Sequence, residues 1–116
     1  MERRYRLSSS SDFKWVRRYG KSYAHPLVVL ILLQNELDRS RFGVAAGRSV
    51  GNAVQRNRAK RLLRESLRPL IPAILPGWDL ILIARHSLAQ ASLQQTMDAV
   101  NSLLLRASLL KAPHGE

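Results

Sequence analysis

The spacing of apolar positions changes along the chain, and each change marks an element. Ser8 to Ser11 supply caps for a short helix that runs to Tyr19, with Gly20 as its natural stop. On that helix Phe13 and Val16 face a core, while Lys14, Arg17 and Arg18 face solvent or a polyanion. Pro26 then opens an unbroken aliphatic run over residues 27–33, with the length and apolarity of a buried strand. Residues 35–40 form a polar turn. A second strand covers residues 41–46, where Phe42, Val44 and Ala46 alternate with the small Gly43 and Ala45. The short connection predicts an antiparallel hairpin.

Residues 47–51 form a loop carrying Arg48, and a long helix follows over residues 51–68. Asn52 is placed to cap it, with Gln55 at the reciprocal position three residues on. Pro69 disfavours helical geometry at Arg68 and sets the end. A connection rich in Pro72, Pro76 and Gly77 leads to a third strand over residues 78–84. Residues 85–91 form a loop with a turn of helix. Ser92 caps a final helix with Gln95 at its capping-box position, and Leu93, Met97, Val100, Leu104 and Ala107 recur at helical spacing as a face packed on the sheet. No repeat or linker divides the chain, so residues 1–116 read as one domain. Residues 1–7 read as a flexible arm and residues 111–116 as a frayed tail.

On a wheel of ~100° per residue the long helix separates into two faces. Ala59, Leu62, Leu63, Leu67 and Leu70 gather on one side. Arg56, Lys60, Arg64 and Arg68 follow at intervals of four along the adjoining flank, with Arg61 beside them and Arg58 further round. A solvated helix face mixes signs, because like charges at i, i+4 repel by a few tenths of a kcal/mol each. Here only Glu65 offsets the run, which points to a polyanionic partner.

Composition sharpens that reading. The 116 residues carry a formal net charge of +11. Residues 1–68 hold 16 of the 19 Lys and Arg and 5 of the 8 acids, so this part carries the whole excess and the remainder is neutral scaffold. Such a field attracts nucleic acid, with an affinity that falls steeply as salt rises. With 46% hydrophobic residues the chain supports a core and is not a disordered basic tail. There is no cysteine, hence no disulfide or thiolate metal site, which fits a reducing compartment. The first residues lack the apolar core of a signal peptide, and the longest aliphatic run is too short to span a bilayer. The expected setting is the cytoplasm, without a membrane partner.

Catalytic groups are not in evidence. His25, His86 and His114 are scattered without metal-ligand spacing, and Asp12, Glu36, Asp38, Glu65, Asp79 and Asp98 form no pair suited to acid–base or two-metal chemistry. No phosphate-binding glycine loop or nucleophile elbow occurs. The residues describe a binder.

The run from Gly51 through Asn52, Gln55, Arg56, Asn57, Arg58, Lys60 and Arg61 to Arg64 and Glu65 closely resembles the signature of the bacterial ribonuclease P protein component. Arg6 and Leu7, Asp12 and Phe13, Gly20, the aliphatic strand, Gly43, Ile83 to Arg85 and the closing leucine-rich helix fall in the same order, so the resemblance covers essentially the whole chain. It implies an α+β fold, a two-layer α/β sandwich like ribosomal protein S5 domain 2, with the basic helix in a left-handed βαβ crossover. It implies an endoribonuclease holoenzyme in which an RNA subunit, one per protein, performs the chemistry with Mg2+ that it mainly holds itself. The product is precursor tRNA freed of its 5′ leader. The protein binds the catalytic RNA and touches the leader.

Carried over position by position, the resemblance places Arg48, Asn52, Arg56, Asn57, Arg58, Lys60, Arg61, Arg64 and Arg68 against RNA. Asn52 is equally a cap. Phe13, Lys14, Arg17 and Ile31 would line the leader cleft, where Phe13 is either a stacking surface or core. The family often has aromatics at the positions of Arg17 and Ile31, so charge would hold the leader more than stacking here. Its usual Ser-Lys-Lys before the helix is reduced to Gly47, Arg48 and Ser49. The alternative is a general structured-RNA-binding protein of ribosome or ribonucleoprotein assembly. A major-groove DNA reader would need a partner helix before the basic one, where strands are expected instead. A protein-only nuclease would need the carboxylate cluster that is missing.

Overall fold

Strand β4 (Trp78–Ala84) is the spine of the molecule, because it pairs with one neighbour antiparallel and with the other parallel. The computed structural model describes residues 5–7 and 9–111. Helix α1 (Ser10–Tyr19) is followed by β1 (Lys21–Ala24), β2 (Val28–Gln34), β3 (Arg41–Ala46), helix α2 (Ala53–Leu67), β4 and helix α3 (Leu93–Arg106). The sheet order is β1-β2-β4-β3. β2 runs antiparallel to β4 with Leu30 opposite Leu82, and β3 runs parallel to β4 with Phe42 opposite Leu80.

Alternation along β4 divides the core between two layers. Leu80, Leu82 and Ala84 join Ala59, Leu63 and Leu67 of α2 and Ala99, Val100, Leu103 and Leu104 of α3 in one cluster. Ile81 joins Leu7, Val16 and Ile31 in a smaller cluster on the opposite face, under α1. The resulting α+β sandwich is the architecture implied by the resemblance.

The crossover has the uncommon hand. The Arg85 N–H donates to the Leu27 carbonyl at 3.0 Å and the Asn35 N–H to the Gly77 carbonyl at 2.8 Å. Odd-numbered residues of β4 therefore turn their backbone polar groups toward β2, and even-numbered residues turn theirs toward β3. For L-residues, a strand drawn upward with a side chain toward the viewer sends that residue's N–H and C=O to the right. Seen from the side of α2, onto which Leu80 and Leu82 project, β3 thus stands to the right of β4. The chain climbs β3, descends through α2 in front and enters β4 on the left. Such connections are right-handed in roughly 98% of cases.

The expected hairpin between the strands at 27–33 and 41–46 does not form, because β4 lies between them. A buried carboxylate explains the preference. Asp79, only 6% exposed at the start of β4, accepts from Asn35 Nδ2 at 2.8 Å, Arg41 Nε at 2.9 Å and Arg41 Nη2 at 2.7 Å. It therefore binds the end of the β2 strand to the beginning of β3 through itself. These hydrogen bonds, more than the charge alone, hold the Arg41 guanidinium above its ordinary pKa. Ser40 completes the seam, donating to the Leu75 carbonyl and accepting from the Trp78 N–H.

β1 was not expected from the pattern, since its residues are mostly exposed at the sheet edge. Ser9 rather than its neighbours caps α1, accepting from the Asp12 N–H. Part of the expected arm is tied down: Leu7 is buried and its N–H donates to the Phe42 carbonyl at 2.8 Å. Lys111 is likewise held by a bond from its N–H to the Ala73 carbonyl at 2.7 Å. Residues 1–4 of the arm, Ser8 and residues 112–116 of the tail lie outside the described residues.

Removing the Asp79 carboxylate strands Arg41 and Asn35 in a partly buried seam. Asp79→Ala is expected to lower the unfolding free energy by about 2–3 kcal/mol, the range of lost charge-assisted hydrogen bonds with some solvent access. Urea unfolding followed by circular dichroism measures it.

Candidate nucleic-acid interface

Helix α2 starts from a fully formed capping box. Asn52 Oδ1 accepts from the Gln55 N–H at 2.9 Å, and the Gln55 side chain accepts from the Asn52 N–H at 2.8 Å. Gly51 before it has φ of +141°, and a Cβ there would lie 1.9 Å from Gln55 Oε1. Glycine is required for both reasons. The Asn52 oxygen is thus committed to the helix.

The apolar stripe of α2 differs slightly from expectation. Ala59, Leu63, Ser66 and Leu67 are buried, whereas Leu62 and Leu70 are half-buried at its margins. The cations stand along the adjoining flank and the outer side. Asn57, Arg58, Arg61, Arg64 and Arg68 are exposed, Arg56 and Lys60 are half-buried, and Arg48 is exposed on the turn (Arg48–Val50) just before the helix.

These side chains fall into two groups. Some are spoken for within the fold. Arg56 Nη1 donates to the Gly51 carbonyl at 3.1 Å, and Arg68 pairs with both oxygens of Glu65 at 2.9 Å. Arg58 donates to the carbonyls of Ala89 and Ala91 at 2.8 and 3.0 Å, which clamps α2 to the turn preceding α3. That clamp is invisible in the sequence, because its acceptors are backbone groups more than thirty positions away. The side chains of Arg48, Lys60, Arg61 and Arg64 make no hydrogen bond or ion pair among the described residues. Lys60, Arg61 and Arg64 are uncompensated cations on one side of α2, and Arg48 is a fourth on the turn before it.

Beside them lies a cleft. A cavity of about 400 Å³ is lined by Arg6, Leu7, Phe13, Phe42, Gly43, Val44 and Arg64. The Phe13 ring lies so close over Gly43 that a Cβ there would be 2.5 Å from Phe13 Cζ. Glycine lets the ring settle on the strand while its other side faces the cavity. Phe13 therefore packs against the small core and also lines the cavity. Arg64 links this cleft to the basic face of α2. Arg6, missed as a cleft residue by the sequence reading, arrives through a bridge to Phe42 that no local pattern announces.

The remaining cleft residues separate. Lys14 and Arg17 are exposed on α1. Ile31 is 7% exposed beneath α1 and packs with Val16 and Ile81, so it supports the floor and does not reach the surface as expected. No cluster of three or more His, Asp or Glu able to hold a metal occurs among the described residues. No helix among them is long and apolar enough to cross a membrane.

The two groups of arginines predict different responses. Arg58→Ala is expected to cost about 1 kcal/mol of stability through its two lost hydrogen bonds. Arg61→Ala, at an unpaired exposed site, is expected to stay within about 0.5 kcal/mol of the parent. Urea midpoints of the two variants make the comparison.

Known proteins share this fold. The family model described as Ribonuclease P matches residues 1–108. The ribonuclease P protein component of Herpetosiphon aurantiacus is 42% identical over 109 residues, spanning 94% of this chain and 89% of the relative. Among solved structures, a Staphylococcus aureus ribonuclease P protein mutant defective in mRNA degradation superposes with a TM-score of 0.86 at 31% identity, covering 95% of this chain and 93% of that one. The Thermotoga maritima ribonuclease P protein gives 0.78 at 30% identity, covering 87% and 96%. With its fold, its basic helix and nearly its whole length matched, this chain belongs to the ribonuclease P protein family.

Proposed function

We propose that this protein serves as the subunit of ribonuclease P that seats the catalytic RNA on α2 and the 5′ leader of precursor tRNA in the cleft between α1, β3 and α2. The observation that carries the reading is the continuity of the two surfaces. Arg64 belongs both to the uncompensated cations of α2 and to the wall of the Phe13 cleft. RNA bound along the helix and a strand held in the cleft would meet at that residue.

The chemistry of each group fits its part. Arg61 and Arg64 present planar forks that grip phosphate at two points, and Lys60 adds a point charge. Arg48 extends the surface one turn before the helix. Asn57, exposed between Arg56 and Arg58, is free to bond a sugar or base edge. Arg56, Arg58 and Arg68 contribute field while their hydrogen bonds hold the helix in place. Phe13 offers a ring face to an unstacked base, and Lys14 and Arg17 draw the strand's phosphates along α1. Ile31 acts from below by supporting α1.

Bond breaking is assigned to the RNA partner. Mg2+, when bound there, supplies the charge that activates water and stabilises the leaving oxygen. This chain's part is to neutralise phosphates where two RNAs approach, which lowers the metal concentration they need. The reading includes one protein per RNA, residence in the cytoplasm, and neither DNA nor membrane as a partner. General structured-RNA binding in ribosome assembly is not favoured, given the family membership.

The test is cleavage of precursor tRNA by a bacterial ribonuclease P RNA at limiting Mg2+, with and without the protein. Stimulation is expected, and its absence would sink the reading. Arg61→Ala combined with Arg64→Ala is expected to weaken RNA binding at least tenfold. It should also flatten the dependence of log K on log salt by about 1.4–1.8, as two lost phosphate contacts require.

A further inference from the structure

The flank of α1 facing away from the cleft carries an aromatic pair that the function above does not use. Trp15 is 60% exposed and Tyr19 is 54% exposed. Their ring centroids lie 4.5 Å apart with an interplanar angle of 51°, and the Arg18 guanidinium sits 5.5 Å from the Tyr19 centroid. Two large rings one helical turn apart, left in water, are a feature that folding alone does not explain.

Helical geometry locates the pair. With the buried Val16 taken as the base of the wheel and ~100° per residue, Phe13 and Arg17 lean to one side, and Trp15 and Tyr19 lean to the other. Lys14 and Arg18 lie on the crest between them. A strand that leaves the Phe13 cleft and crosses α1 would pass Arg17, then Lys14 and Arg18, then the Trp15 and Tyr19 rings. Residues 9–21 contain four cations and one acid. That acid, Asp12, lies on the aromatic flank and is engaged by Arg41 Nη1 at 3.4 Å.

We propose that Trp15 and Tyr19 form a stacking platform for single-stranded RNA, a second contact on the flank of α1 opposite the cleft. Exposed aromatic faces bordered by cations suit a ligand that alternates flat bases with phosphates. Charge argues against a second copy of this chain as the occupant, since docking two such flanks would bring the bordering Lys14 and Arg18 of each copy together. The strand that reaches the platform is the distal part of the precursor leader as it leaves the Phe13 cleft and crosses Lys14 and Arg18. That assignment rests on the reading of the cleft above; an unpaired segment of the RNA subunit is the other source, which the test separates. Both present the same chemistry to the platform.

The experiment titrates the protein with a short oligouridylate at low salt and follows tryptophan fluorescence and anisotropy of labelled RNA. Stacking on Trp15 quenches emission in the parent protein. Trp15→Ala with Tyr19→Ala is expected to weaken oligouridylate binding at least fivefold, while Leu105→Ala, an exposed apolar residue on α3, leaves it unchanged. Both aromatic side chains are exposed, so circular dichroism and urea midpoints of the double variant should match the parent. Unchanged oligouridylate affinity in the double variant overturns the proposal. So does concentration-dependent self-association that the double variant abolishes while oligouridylate affinity stays constant.

A second arm, in the reconstituted holoenzyme, identifies the source. Weakening confined to a precursor with a long leader, and absent with a truncated one, assigns the strand to the leader. Weakened RNA-subunit affinity with either precursor assigns it to that subunit. The oligouridylate arm needs no RNA subunit, so failure of the parent protein to stimulate cleavage would sink the reading of function while leaving this inference decided on its own data.

Discussion

Burial of the apolar stripe of α2 is the interaction on which the remaining architecture depends. Arg56, Lys60, Arg64 and Arg68 repel along one flank at a few tenths of a kcal/mol per pair. Against that, Leu63 and Leu67 are almost wholly removed from water, each contributing roughly 1.5–3 kcal/mol, and Ala59 is fully covered as well. The core term wins by several-fold. The helix can therefore hold uncompensated cations in one geometry, ready for phosphate, without depending on local charge balance to stay folded. Glu65 and the Arg58 clamp trim the repulsion at the margins and fix the helix against α3.

The same packing constrains the sheet. For α2 to cover β4 and also present its cations beside α1, it must return across the sheet between parallel neighbours, and β4 must enter between β2 and β3. The Asp79 carboxylate joins three strands at that point. It is a small polar seam whose consequence is topological. It places β3 at an edge, where Leu7 can pair and where the Phe13 cavity opens beside Arg64.

Much of this was legible from residues alone, for identifiable reasons. The residue 78–84 strand, the Ser92–Gln95 and Asn52–Gln55 capping boxes and the stop at Gly20 are local signals, written in neighbouring positions. The hairpin expected between the strands at 27–33 and 41–46 failed because connection length reports proximity along the chain, whereas Asp79 bonds across it. β1 was missed because an edge strand with exposed side chains has no apolar period to detect. The basic face was legible as a surplus of like charges. Which arginines remain unpaired was not, since Arg58 spends its donors on backbone carbonyls that sequence cannot place. Ile31 reads identically as floor or surface in a continuous aliphatic run. The exposed pair of Trp15 and Tyr19 did leave a signal, two aromatics four apart on a helix otherwise rich in cations, but large rings at helical spacing usually mark a buried face, and only the structure shows both in solvent.

The central claim is that the cations of α2 meet the RNA subunit of ribonuclease P directly. A chain without cysteine permits a direct test, because a photoactivatable crosslinker can be attached to single cysteines introduced by Arg61→Cys on α2 and Leu105→Cys on α3. The account predicts efficient crosslinking to ribonuclease P RNA from position 61 and little from position 105. Equal crosslinking from both positions, or a preference for position 105, would contradict it.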